Sequence, residues 1–206
     1  MTTARAVEQR RAPAVVGWPL VGWSASAVAG LCSAAFLAAG GDEAGLRAAI
    51  RLSAKTSLAL FTSAFIASSV RALWPSALTT WLLANRRYLG VSFAASHAMH
   101  LLAIVALARV ASDFRLDPAT LIGGGFAYVL LAAMTATSFD RSAAWIGPRR
   151  WHLLHTTGMY YCWFIFFISY LPRALVESVL YLPFVVVLVG ALVLRIIARR
   201  AAASAR

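Results

Sequence analysis

The sequence predicts an all-α polytopic membrane protein, a bundle of six transmembrane helices with both termini in the cytoplasm. Of the 206 residues, 61% are hydrophobic and only 13% are charged, whereas soluble domains carry about 25% charged residues. Several apolar runs reach about 20 residues, the length that crosses a bilayer. The net charge of +12 comes mainly from arginines at the edges of these runs, where they set topology and contact lipid headgroups. The expected environment is therefore a lipid bilayer, and nucleic-acid binding is disfavoured.

The chain divides into an N-terminal tail (residues 1–13), a membrane domain (14–198) and a basic C-terminal tail (199–206). The first span, residues 15–39, follows a basic segment and ends in small residues, as a secretory signal does. Its apolar run of about 25 residues is longer than the 7 to 15 of a signal peptide. A retained helix is therefore favoured over a cleaved signal.

Five further spans are predicted from the apolar runs and their breakers. Proline stops or starts a helix because it lacks an N–H and fixes φ, and Pro75, Pro148 and Pro172 lie at such borders. Glycines 123–125 fall in the fourth span, where they allow a close approach of a neighbouring helix or a flat cofactor. The remaining predicted spans are residues 56–74, 88–110, 119–137, 151–171 and 176–197.

The distribution of positive charge predicts the orientation. With six spans, 13 arginines fall on the side of the two termini and six Lys or Arg residues fall on the other side. Positive residues are enriched in cytoplasmic loops. Both termini are therefore expected in the cytoplasm, in a bacterial inner membrane.

All four histidines lie in the third and fifth spans. His97 and His100 are three residues apart, which places them on one helix face about one turn apart. His152 and His155 repeat this spacing. Ionisable residues inside a membrane are costly and usually face a cavity, a partner or a cofactor. Because neutral imidazole is a ligand of iron and copper, the pattern predicts a cofactor held between these spans.

Other chemistries fit the sequence less well. The seven carboxylates lie in loops or near span ends, whereas a proton-coupled transporter usually has one at membrane depth. A di-iron site would use Glu-x-x-His pairs, which do not occur. Cys32 and Cys162 form no C-x-x-C or C-x-x-C-H motif, which argues against thiol redox chemistry and c-type haem. Haem b needs two imidazoles and an apolar slot. The alternative is a membrane protein that uses the histidines for metal binding or transport without haem.

Three segments resemble the ferric reductase-like transmembrane domain family, and within it the haem-binding membrane subunits of bacterial periplasmic methionine sulfoxide reductase systems. They are R-R-Y-L-G followed by H-x-x-H-L-L (within 86–102), T-S-F-D-R (137–141) and R-W-x-x-L-H (150–155). The resemblance covers about residues 50–175. It implies haem b between the third and fifth spans, with His100 and His155 at the positions of the haem-iron ligands.

The family pattern and the helical rise point to different partners for His155. Family members often carry a further histidine later in the fifth span, where this chain has Ile168 and Ser169. At 1.5 Å per residue, His97 lies about 15 Å and His100 about 20 Å beyond Arg87, while His155 lies about 7–8 Å beyond Arg150. The smaller offset favours His97 as the partner of His155, and the resemblance favours His100. His152 lies near the membrane surface, where it is more readily solvated.

We therefore expect one or two haem b groups that pass electrons from a cytoplasmic flavin such as FMN, or from a membrane quinol, to an acceptor outside the cytoplasm. Because no flavin or nicotinamide domain follows the sixth span, donor and acceptor are expected to be separate molecules. Whether the chain is itself an oxidoreductase or its electron-carrying component stays open. Candidate contacts to haem propionates or to a donor, explained equally well by positive-inside anchoring, are Arg86, Arg87, Arg149 and Arg150.

Overall fold

The computed structural model describes residues 16–204, and within this range it is helical with no β-strand. Six of its helices are long and apolar enough to span a membrane, which confirms the predicted all-α, six-span architecture. The predicted tail at residues 1–13 lies outside the described range. The α-helices are α1 (Trp18–Ala38), α2 (Glu43–Leu73), α3 (Ala77–Ala84), α4 (Arg86–Val110), α5 (Pro118–Ala136), α6 (Asp140–Ile146), α7 (Pro148–Pro172) and α8 (Leu182–Ser204).

Several helix borders differ from those expected. Helix α2 begins at Glu43, well before the apolar run, because the Asp42 carboxylate accepts hydrogen bonds from the N–H groups of Ala44 and Gly45. The segments after the second and fourth predicted spans contain the short helices α3 and α6. A π-turn at Arg173–Glu177 and a short 3-10 turn delay the start of α8.

Helices α1, α4 and α7 begin at one end of the bundle, where α2, α5 and α8 end. The N–H of Gly17 donates to Asn85 Oδ1 at 2.9 Å, and the indole N–H of Trp151 donates to the carbonyl of Thr137 at 2.9 Å. These bonds join the start of α1 to the start of α4, and the start of α7 to the end of α5. We call this the basic end, because it carries the adjacent arginines 86–87 and 149–150.

Helix α2 is central and packs against α1, α3, α4 and α8. Where α2 meets α4, the contact is made by small residues with hydroxyl groups. The hydroxyls of Ser57 on α2 and Ser96 on α4 are hydrogen-bonded at 2.9 Å. Small residues let two helix backbones approach closely. Nearer the basic end this interface becomes aromatic, with Phe61 within 5.4 Å of the rings of Phe93 and Phe166. The aromatic group therefore joins α2, α4 and α7 at the centre of the bundle.

Candidate functional site

A cavity of about 260 Å³ lies at the basic end between α2, α4, α5 and α7, just below the roughly 300–1,000 Å³ of typical ligand pockets. Its charged and imidazole side chains are Arg86, Arg87 and His155. The rest is mostly apolar or aromatic and includes Phe93, Leu131, Met134, Trp151 and Met159. This cavity therefore combines an imidazole, two guanidinium groups and apolar surface.

His155 reaches the cavity from the first turns of α7 and is fixed by two neighbours. Its Nε2 atom lies 3.0 Å from the hydroxyl of Thr137, and its ring stacks on Trp151 with centroids 4.1 Å apart. Since Trp151 also donates to the Thr137 carbonyl, these three residues form one connected group, of which Trp151 and His155 line the cavity.

The three segments that carry the family resemblance meet at this cavity. Thr137, which opens T-S-F-D-R, contacts His155 of R-W-x-x-L-H. Asp140 of the same segment forms an ion pair with Arg87 of the R-R-Y-L-G segment, at 2.6 Å. The segment T-S-F-D-R therefore positions residues of both neighbours, a role that its composition alone did not indicate.

His97 and His100 lie deeper in the bundle, and their rings stack with centroids 5.2 Å apart, as expected for one helix face. The Nδ1 atom of His100 lies 3.0 Å from the Ser53 hydroxyl and 3.1 Å from the Ile50 carbonyl. When Nδ1–H donates to a carbonyl, Nε2 carries the free lone pair, which is the usual arrangement of a metal-ligating histidine. His100 is therefore held in a ligand-competent orientation.

His97 is surrounded mainly by aromatic rings. It stacks on Tyr128 at 4.9 Å and meets Phe93 and Phe166 at 5.4 and 5.8 Å. Its Nδ1 atom is buried and has no hydrogen-bond partner within residues 16–204. Buried polar atoms are normally paired, so this nitrogen is a further candidate ligand atom.

The structure places His155 at a different depth from His97 and His100. On α5, the contact of His97 is Tyr128 and that of His155 is Thr137, a separation of nine residues or about 13 Å along the helix. Phe93, which touches His97, lines the cavity between them. If two imidazoles bound one metal ion, their ligating nitrogens would be about 4 Å apart, because each metal–nitrogen bond is about 2 Å long. The pairing of His155 with either histidine stays a prediction.

The four candidate arginines occupy different environments. Arg86 and Arg87 line the cavity, whereas Arg149 and Arg150 are exposed. The exposed pair shares a surface of α7 with His152, which is likewise exposed. This surface is separate from the cavity.

Sequence reasoning missed the supporting residues of the site and a buried charge. Ser53, Thr137 and Tyr128 contact the histidines. Thr137 lies in the T-S-F-D-R segment that carries the resemblance, but no single-sequence signal distinguishes Ser53 and Tyr128 from other polar residues of the spans. Arg195 is buried in α8, and its place inside the predicted sixth span was a usable signal, because charged residues at membrane depth are usually functional. No cluster of three or more His, Cys, Asp or Glu side chains suited to a metal ion occurs among the described residues.

Fold and site together define a polytopic membrane protein with a basic, histidine-lined cavity at one end. Comparisons of the chain with protein-family models, with curated proteins and with solved structures find no match. The resemblance to ferric reductase-like proteins therefore stays a prediction from the sequence.

Proposed function

We propose that this chain binds haem b in the bacterial inner membrane and carries electrons across the bilayer. The observation that carries the proposal is His155, an imidazole inside a membrane-length helix that lines a cavity with two arginines and apolar walls. Ionisable groups in such positions usually serve a cofactor, a partner or a transport path. A haem group matches these residues, because its iron would bind the imidazole, its carboxylates would pair with arginine and its apolar ring would contact the apolar walls.

The residues of the cavity fit these parts. Phe93, Leu131 and Met159 supply apolar surface. Gly90 lines the α4 side, and a methyl group added to it would meet no atom within 4 Å, which leaves that side open to a flat group. The hydrogen bond between His155 Nε2 and the Thr137 hydroxyl would be given up if Nε2 bound iron. The haem supplies one-electron redox chemistry, and the chain tunes its potential through ligation and polarity.

The depth of the other histidines supports transfer across the membrane. His100, with Nδ1 engaged by Ser53 and Ile50, and His97 form a second candidate ligand position about 13 Å further along the bundle. Two positions staggered along the bilayer normal suit a carrier that moves electrons between its two faces. In this proposal the cavity would hold one haem, and His97 or His100 would supply a ligand to a second.

The basic end faces the cytoplasm in this proposal, and the donor binds there. A flavin or quinol donor and an outer acceptor are separate molecules. The exposed Arg149 and Arg150 provide a cationic surface for an acidic donor protein.

A second candidate, a bare metal ion, is favoured by two thioethers in the cavity. Met134 and Met159 line it together with His155. Thioether and imidazole ligands suit monovalent copper. In this alternative the cavity holds copper instead of porphyrin.

The two candidates are separated by the visible spectrum and metal content of the detergent-purified chain from haem-supplemented cells. We expect a haem spectrum and iron in proportion to haem, reduced in His155→Ala and retained in His152→Ala, the matched variant on the same helix. Copper without haem, lost in Met134→Leu and His155→Ala, would support the alternative. Absence of both would contradict both functions.

A further inference from the structure

Arg195 is the only charged side chain that is buried among residues 16–204, with 8% of its surface exposed. Its guanidinium lies over the rings of Phe65 and Tyr160 at 4.3 and 5.1 Å. It donates to the carbonyl of Phe65 and to the Tyr160 hydroxyl. The guanidinium of Arg195 is thus held in a fixed position near the basic end of the bundle.

A second guanidinium is held beside it. Arg86 Nε donates to the carbonyl of Ala64 at 3.2 Å, and Arg195 donates to the next carbonyl of α2, that of Phe65. Because the two acceptor carbonyls belong to consecutive residues of α2, the two guanidinium groups are like charges held near each other. Arg86 also lines the cavity, and Arg195 lies beside it, outside the residues that line the cavity.

Neither arginine has a carboxylate partner among the described residues. The ion pairs there are Arg47 with Glu43, Arg87 with Asp140, and Arg173 with Glu177. Carbonyl and aromatic contacts solvate a guanidinium but do not neutralise it, and arginine stays protonated in proteins. Two adjacent, partly desolvated cations are costly unless an anion compensates them.

We propose that Arg86 and Arg195 together bind an anionic oxygen group, a carboxylate or a phosphate, of a ligand held at the basic end of the cavity. The planar guanidinium matches both groups through paired N–H donors. Arg87 already has an ion-pair partner, the exposed Asp140, and Arg149 and Arg150 are exposed on a separate surface of α7. The source is either a haem propionate, which rests on the function proposed above, or the headgroup of an anionic phospholipid, which does not.

The phospholipid arm uses the full chain purified in mild detergent, with phosphatidylglycerol as the probe and native mass spectrometry as the readout. Arg86→Gln and Arg195→Gln should each weaken binding by roughly ten- to a hundredfold, the effect of losing one charge-assisted hydrogen bond. The matched control is Arg199→Gln, because Arg199 is exposed and also lies over Tyr160, at 5.4 Å. Arg195→Lys keeps the positive charge, so retained binding in this variant would show that the loss in Arg195→Gln comes from the missing charge and not from misfolding.

The haem arm compares titrations with haem and with its dimethyl ester, whose carboxylates carry no charge. If the propionate is the ligand, Arg86→Gln and Arg195→Gln weaken haem binding by a similar factor and leave binding of the ester unchanged. Lipid and haem affinities that both match those of Arg199→Gln would overturn the proposal. If the native chain binds no haem, the proposed function fails, and the phospholipid arm alone decides the anion site.

Discussion

The hydroxyl of Thr137 lies 3.0 Å from Nε2 of His155, and the carbonyl of the same residue accepts the indole N–H of Trp151. One residue at the end of α5 therefore fixes both the imidazole and the ring stacked on it. This relationship explains how the sequence segment T-S-F-D-R supports a site whose candidate ligand lies on another helix.

Removing the Thr137 hydroxyl should strengthen haem binding. If iron takes Nε2, the hydrogen bond to Thr137 exists only in the haem-free form, so Thr137→Val raises haem affinity by roughly two- to tenfold, the value of one hydrogen bond. Haem titration of the purified protein measures the change, and Thr137→Ser keeps the hydroxyl as a control. A weaker affinity in Thr137→Val would show that the bond supports the bound state instead.

Filling the open side of the cavity should lower haem content without harming the fold. Gly90 and Gly124 are both helical, and a Cβ on either meets no atom within 4 Å, but only Gly90 lines the cavity. Alanine at either site should leave stability unchanged or raise it by up to about 1 kcal/mol. We expect Gly90→Ala to bind less haem than Gly124→Ala when haem is measured per mole of purified protein. Equal haem content would place the haem elsewhere.

The contact between α1 and α2 predicts a strong effect at Gly45. A Cβ there would lie 2.5 Å from the backbone oxygen of Phe36 and 2.8 Å from its ring, and a backbone atom cannot move aside cheaply. Gly45→Ala should destabilise the protein by about 1–3 kcal/mol, as thermal unfolding in detergent would show. Gly30→Ala, with no atom within 4 Å, is the control. Matching unfolding temperatures would indicate that α1 does not pack here in the mature protein, as after cleavage of a signal.

The excess of arginine at the basic end predicts the direction of insertion. In a background of Cys32→Ser and Cys162→Ala, Ser112→Cys lies at the opposite end of the bundle and Ser204→Cys at the basic end. Both serines are exposed. A membrane-impermeant maleimide should label Ser112→Cys from outside spheroplasts, and Ser204→Cys only after lysis. The reverse pattern would put the basic end outside.

The number of spans and most of their borders could be predicted from the sequence, because span length and the positions of Pro75 and Pro148 are local signals. Three-residue spacing also correctly placed His97 and His100 on one face, since it depends on one helix only. The border of α2 was missed because the Asp42 cap extends the helix through a charged segment whose composition resembles a loop.

How the helices are shifted and rotated relative to one another could not be predicted in the same way. The helical rise did predict that His155 lies nearer the basic end than His97. The size of that offset, however, depends on how far α4 and α7 are shifted along each other, which neither helix encodes alone. Likewise, the burial of Arg195 depends on the rotation of α8 against Phe65 and Tyr160. A single sequence contains the arginine but not the rings that cover it.

The most direct test of the proposed function is a dithionite-reduced minus oxidised visible spectrum of the purified protein, recorded with His97→Ala, His100→Ala, His155→Ala and His152→Ala. The account predicts a b-type band in the native protein and in His152→Ala. It predicts a partial loss in His155→Ala and in at least one of the α4 variants, because the two ligand positions lie at different depths. A native protein without this band despite ample haem, or a band unchanged in all four variants, would contradict the account.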